Sequence, residues 1–314
     1  MSGRARRQEI LMAKSKQSTN ITIESPYADY AFYQCLYSRS RSFKFLEAEG
    51  AVFMIEHIMA RAPSLRERPL DIVEFLAGAG EYEDFIRNEA RFEIGRYVGI
   101  DAIKPPNPRT ELLVGPVAST FPDWPADIVL AMFYSASSIL GGDGRPSPTA
   151  LLEMAQNAYR NLKEDGGFVL SFPARGESLS FREDDDEDEE SEIAIPIYNG
   201  LRERFGLEPV EDALIRYKSE ETYERSTGLS IERIKDARVI RESDDKVMGR
   251  IAVENPMYQQ YLSESHFVWI LREAGFREFM FFDINADDGT PTYERLDEVM
   301  TEPEEYANHL VAIR

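Results

Sequence analysis

VEFLAGAGEY, Val73 to Tyr82, decides how this chain is read. An apolar run with one carboxylate inside it, Glu74, breaks into small residues with glycines at 78 and 80. A glycine turn at the end of a buried strand lets the backbone approach a ligand closely and turn sharply into a helix. Twenty-one residues after Gly80, the run YVGIDAI (97–103) places Asp101 at the end of its own strand-like stretch.

The same grammar extends outward. LDIVEFL (70–76), YVGID (97–101), TELLVG (110–115), ADIVLAMF (126–133) and FVLSFP (168–173) are short, almost continuously apolar runs. Helical patterns separate them: EYEDFIRNEARFEIG (81–95), with Gly95 as its cap, and PTALLEMAQNAYRNLKEDGG (148–167), ending on paired glycines. Apolar strands alternating with helices predict a parallel sheet covered on both faces. After Pro173 the alternation stops. An acidic run from Arg182 to Glu192 leads into strand-like segments with turns, read as an antiparallel insertion. The helix–strand pattern returns at YQQYLSESHFVWILREAGF (258–276), REFMFFDI (277–284) and NHLVAIR (308–314). The expected organisation is a disordered basic tail over 1–25, an N-terminal helical cap over 26–66, a core of 67–175 with 260–314, and an insertion over 176–259.

Composition bounds the function. The chain has 314 residues and a net charge of -21, which argues against nucleic acid and against an anionic membrane surface. No apolar run approaches the roughly 18 residues of a membrane helix. The single cysteine, Cys35, excludes an internal disulfide and fits a reducing, cytoplasmic compartment. Homo-oligomerisation is left open. The acids at 183–190 lack the turn pattern of an ion-binding loop and read as a solvated segment, so no metal is expected.

In a doubly wound sheet, ligands bind beyond the carboxyl ends of the strands. Two cofactor classes use a glycine loop there, dinucleotides and S-adenosylmethionine. The dinucleotide fingerprint wants a small residue where this chain has Glu83, and Glu74, Glu81 and Glu83 would repel a pyrophosphate. A sulfonium and an ammonium reverse that sign. Asp101 suits the ribose hydroxyls of either.

With Glu74, the AGAG loop (77–80), Asp101, ADIVLAMF, NLKEDGGFVLS and the final HLVAIR, the chain resembles the class I S-adenosylmethionine-dependent methyltransferases. Leu76 departs from the glycine that the family carries there. The resemblance implies an α/β fold: a doubly wound sheet of seven strands with the last antiparallel, the N-terminal helical cap, and a strand-rich insertion after strand five that covers the acceptor. It implies S-adenosyl-L-methionine as cofactor. It points to Glu74, Gly78, Ala79, Gly80, Asp101 and Ala102 at the loop and ribose, and to Pro116, Val117 and Ala118 at the adenine. Met132 and Phe133 fall near the methionine part, and a tyrosine of the aromatic opening, Tyr27, Tyr30 or Tyr33, reaches the cofactor. His266 at the head of HFVWIL reads either as a helix cap or as a general base, and Tyr134 is the second catalytic candidate. His57 and His309 read as structural. The expected reaction is N- or O-methylation of a small-molecule acceptor. A nicotinamide oxidoreductase and a non-catalytic cofactor-binding scaffold remain as alternatives.

Overall fold

The computed structural model describes residues 19–36, 41–105, 108–141, 144–172, 192–208, 212–224, 226–287, 290–296 and 308–314. In chain order these form β1 (Thr19–Ile23), α1 (Tyr30–Leu36), α2 (Arg41–Arg61), β2 (Leu70–Phe75), α3 (Glu81–Glu89), β3 (Ile94–Asp101), β4 (Glu111–Val114), β5 (Ala126–Ala131), α4 (Pro148–Asn161) and β6 (Leu162–Ser171). They continue as β7 (Glu192–Pro196), α5 (Asn199–Arg204), β8 (Ala213–Glu224), β9 (Leu229–Arg241), β10 (Lys246–Val253), β11 (Met257–Gln260), α6 (Glu264–Ala274), β12 (Glu278–Asp287), β13 (Thr290–Leu296) and β14 (His309–Ile313).

Two units divide them. The larger lies within Ser40–Asp188, Tyr223–Ser230 and Tyr258–Arg314. Its sheet has eight strands in the order β13-β12-β14-β6-β5-β2-β3-β4. Strands β4, β3, β2, β5 and β6 are mutually parallel, β14 runs antiparallel to both β6 and β12, and β13 pairs antiparallel with β12. Among the described residues the sheet thus has eight strands and not the expected seven, because β13 adds antiparallel pairing beyond β12. Side-chain alternation along each strand sorts residues onto two faces. On fully buried β5, Val129 and Ala131 join a core with α4 and α6, whereas Ile128 and Leu130 join a second core with α2 and α3.

Two helix boundaries differ from expectation. Helix α4 starts where Ser147 accepts a bond from the Thr149 N–H (3.2 Å) with Pro148 in the first turn, but it stops at Asn161. Leu162 turns extended and is fully buried, and Lys163 reaches Asp71 (2.8 Å) and Asp127 (3.0 Å), so this segment joins the sheet. Gly166 is needed because a Cβ there would lie 2.8 Å from the Asp127 carbonyl. Helix α3 ends at Glu89, and Gly95 belongs to β3 rather than to a cap.

The smaller unit lies within Met1–Arg39, Glu189–Thr222 and Ile231–Met257, and its sheet runs β1-β10-β9-β8-β7. Strand β1 pairs in parallel with β10, Thr19 opposite Gly249. The expected disordered tail over 1–25 is thus too long: Thr19–Ile23 is a strand, and Glu254 and Asn255 donate their N–H groups to the carbonyls of Ile23 and Glu24. The expected helical cap is also divided, with α1 in the smaller unit and α2 in the larger. The acidic run 183–190 lies outside the described residues.

Candidate functional site

Strand β2 delivers the glycine loop to the carboxyl edge of the sheet. Leu76, Gly78 and Gly80 take left-handed conformations, with φ of 59°, 55° and 72°. Leucine stands where the family's first glycine would be, and it adopts the conformation that glycine would take freely. A Cβ on Gly80 would lie 2.3 Å from Thr110 Cγ2, whereas one on Gly78 would meet nothing within 4 Å. Gly80 is therefore a packing requirement and Gly78 an open wall. The loop is braced by the Ala77 N–H on the Ile100 carbonyl (3.2 Å) and the Arg109 N–H on the Ala79 carbonyl (2.9 Å).

Asp101, at the end of β3, closes the loop. Its Oδ2 accepts the Gly78 N–H at 2.8 Å and its Oδ1 accepts the Ile103 N–H at 3.0 Å. Burial raises its carboxyl above the ordinary range, against the pull of the N–H groups of Ile103, Gly78 and Ala102. Each carboxylate oxygen keeps a further lone pair for a ligand hydroxyl. Ala102, next in the chain, is exposed.

Glu74 is buried on the α2–α3 side and accepts the Tyr97 hydroxyl at 2.9 Å. Burial pushes its carboxyl up to about 8; the Tyr97 bond and Lys44 oppose this, and Asp101 and Glu83 add to it. The other two acids of the loop are paired. Glu81 takes Lys44 at 3.2 Å with Arg109 at 4.0 Å, and Glu83 takes Arg87 at 2.8 Å. With Glu81 and Glu83 paired, and Lys44 brought in from α2, the charges alone do not separate a phosphate ligand from a sulfonium.

The adenine candidates lie at the turn after β4. Val117 is buried in the α4–α6 core, and its carbonyl is held by Asn157 Nδ2 at 2.8 Å, so its side chain serves packing. Ala118 is half-buried and Pro116 exposed. At the end of β5, Met132 is also core, packed on the α2–α3 side. Phe133 and Tyr134 both take left-handed φ, 58° and 52°, which turns the chain back over the sheet edge. The Lys44 ammonium lies 5.1 Å from the Phe133 ring centre. The Tyr134 N–H is held by Ser171 Oγ at 2.8 Å and its carbonyl by the Ser137 hydroxyl at 2.6 Å.

His266 is exposed in the first turn of α6, with Nδ1 2.8 Å from Ser263 Oγ, an arrangement that suits a helix start. Tyr27, Tyr30 and Tyr33 belong to the smaller unit, where the rings of Tyr30 and Tyr33 stack with centres 6.4 Å apart. Their assignment to the cofactor rests on the resemblance alone. Cys35 is buried and its thiol is pushed up to about 11 by desolvation, which suits packing and not nucleophilic attack.

No protein-family model and no curated protein sequence matches the chain. Solved structures do. DesVI of Streptomyces venezuelae superposes with a TM-score of 0.53 at 12% identity, over 88% of this chain and 95% of that one. CalS10, an amino pentose methyltransferase from Micromonospora echinaspora in a structure with bound SAM, gives 0.53 at 12%, over 89% and 96%. The sugar N-methyltransferase KedS8 from a Streptoalloteichus species gives 0.53 at 11%, over 89% and 91%. At such identities the likeness establishes the fold, a Rossmann-like α/β fold shared with S-adenosylmethionine-dependent methyltransferases.

Proposed function

We propose that this chain transfers a methyl group from S-adenosyl-L-methionine to a small-molecule acceptor. One observation carries the reading: the left-handed Gly78 is tied through its N–H to Asp101, at the carboxyl ends of parallel strands in a sheet interrupted by antiparallel β14. A dinucleotide-binding sheet of the usual order is parallel throughout. The residues present fit the cofactor: Asp101 retains acceptor capacity for ribose hydroxyls, Gly78 leaves room above the loop, and Glu74 offers a carboxyl that an ammonium would ionise.

The cofactor supplies an already activated methyl group, so the protein's share is alignment and exclusion of water, worth roughly 7–11 kcal/mol. The nucleophile is an amine or hydroxyl of a metabolite, as in specialised metabolism, and the amino sugars acted on by CalS10 and KedS8 head the acceptor panel. For a hydroxyl acceptor, His266 is the proposed base, with Tyr134 the other catalytic candidate. His266→Ala then lowers turnover about 100-fold with cofactor affinity intact. For an amine the loss is small. The test is calorimetry with S-adenosylhomocysteine and with NAD, followed by product detection on amines, hydroxyls and amino sugars. Binding of NAD, or binding of S-adenosylhomocysteine without any methyl product, would overturn the proposal.

A further inference from the structure

Two polar groups in the larger unit are fully buried yet face each other without a hydrogen bond. Glu47 on α2 and His309 on β14 are both 0% exposed. Glu47 Oε1 and His309 Nε2 lie 3.6 Å apart, and neither has a hydrogen-bond partner among the described residues.

The neighbours decide where the protons are. Asn308 Oδ1 accepts the Ile284 backbone N–H at 3.0 Å, and Asn308 Nδ2 donates to the Ile284 carbonyl at 2.9 Å. A backbone N–H can only donate, so the amide orientation is fixed and Oδ1 is an acceptor. His309 Nδ1 lies 2.5 Å from that same Oδ1, so Nδ1 must carry a proton. In a neutral ring Nε2 would then present a bare lone pair to a buried carboxylate. One proton has to occupy the space between them. Glu47 Oε2 accepts both the Tyr82 hydroxyl (2.8 Å) and the Phe133 backbone N–H. Two donors favour the carboxylate form, which puts the proton on His309.

The Phe133 bond gives this pair a task. Phe133 and Tyr134 are successive non-glycine residues in left-handed conformations, held by a side-chain acceptor each, Glu47 from α2 and Ser171 from β6. Through Tyr82, Glu47 also grips the helix that follows the glycine loop. We propose that Glu47 and His309 form a buried pair sharing one proton, and that this pair positions the Phe133–Tyr134 corner and the glycine-loop helix for cofactor binding. The positioning half rests on the methyltransferase reading. Among the described residues, the ionisable side chain bonded to the pair is that of Tyr82 from α3. Both residues are positioning residues and touch no reacting atom.

The test has two arms. In 15N-histidine spectra of the full chain, the His309 signals are assigned by their loss in His309→Gln. Wild type should show both ring nitrogens protonated at pH 7. Glu47→Gln should convert His309 to the single Nδ1–H tautomer, because the carboxamide can donate to a bare Nε2. A singly protonated ring in wild type that Glu47→Gln leaves unchanged would refute the placing of the shared proton on His309. This arm needs no ligand. In the second arm, S-adenosylhomocysteine affinity is measured. Glu47→Leu should lose at least tenfold, and Glu47→Gln should restore most of that loss. Full affinity in Glu47→Leu would refute the positioning role. If wild type itself does not bind, the methyltransferase reading fails and the positioning role with it, whereas the spectra still decide the pair.

Discussion

Glu74→Gln tests the site where its electrostatics are most extreme. The folded chain raises the Glu74 carboxyl from its ordinary value of 4.5 to about 8, chiefly by burial. At about 1.36 kcal/mol per pH unit, that gap corresponds to about 5 kcal/mol of preference for the neutral form. Because the folded value lies above the unfolded one, the contribution is full below pH 4.5 and is lost as pH rises to about 8. Between pH 5 and 8 wild type should therefore lose about 3–4 kcal/mol of unfolding free energy that a neutral side chain would keep. Glutamine keeps the shape and an oxygen for the Tyr97 hydroxyl, now 2.9 Å from the carboxyl. Urea unfolding of both proteins at pH 5, 6, 7 and 8 isolates this residue, since all other groups titrate alike in the two. The curves should diverge steadily, with the variant the more stable at pH 8. Parallel profiles would refute the reasoning. A second readout links the residue to the ligand: S-adenosylhomocysteine brings an ammonium, so binding to wild type near pH 7 should release a proton, seen as buffer-dependent heat, and binding to Glu74→Gln should not.

Asp101→Ala should weaken S-adenosylhomocysteine binding about 100-fold or more. On the proposed role it removes two ribose acceptors worth about 1.5–3 kcal/mol each, and it also removes the Gly78 anchor. Glu81→Ala should cost under about tenfold, and equal losses by calorimetry would count against the role of Asp101. Gly80→Ala should destabilise the chain by at least about 1 kcal/mol more than Gly78→Ala in thermal unfolding. Both bear the left-handed cost, but only at Gly80 does the new Cβ strike Thr110. Asp127→Ala should cost about 2–4 kcal/mol in urea unfolding, since the buried carboxylate binds Arg68, Lys163 and the Asp71 N–H. Asp71 and Asp127 are both held below the ordinary carboxylate range, Asp71 by its Arg96 bond and Asp127 by Arg68, Asp71 N–H and Lys163 against desolvation. Their contribution is present above that range and lost as pH falls through the depressed values, so acid unfolding should begin at higher pH in Asp127→Ala.

The alternating order of strands and helices was readable from the apolar runs, because a strand buried on both faces has to be apolar at nearly every position. That the glycine loop and Asp101 share one end of the sheet was readable too, because each follows the end of an apolar strand; the hydrogen bond from the Gly78 N–H to Asp101 was not. Where local patterns misled, tertiary contacts had overridden them. The paired glycines at 166 and 167 looked like a helix end, yet the chain leaves the helix at Asn161 because Leu162 and Lys163 find partners in the sheet. Hairpin strand β13 and the parallel strand β1 carry no periodicity strong enough to announce them.

The polar wiring of the site was decided only by the folded chain. Lys44 meets Glu81 and Glu47 meets His309, each across a sequence separation that leaves no local trace. A histidine on an apolar strand reads as packing in sequence, and so His309 did. Its proton is dictated by an asparagine next to it and a glutamate near the other end of the chain. Sequence alone therefore determines which residues can line the carboxyl edge of this sheet, since strand period and turn chemistry are local. Which of them are charged, neutralised or protonated depends on burial and on distant partners, because the free energy of a charge is set by the groups within a few ångströms in space.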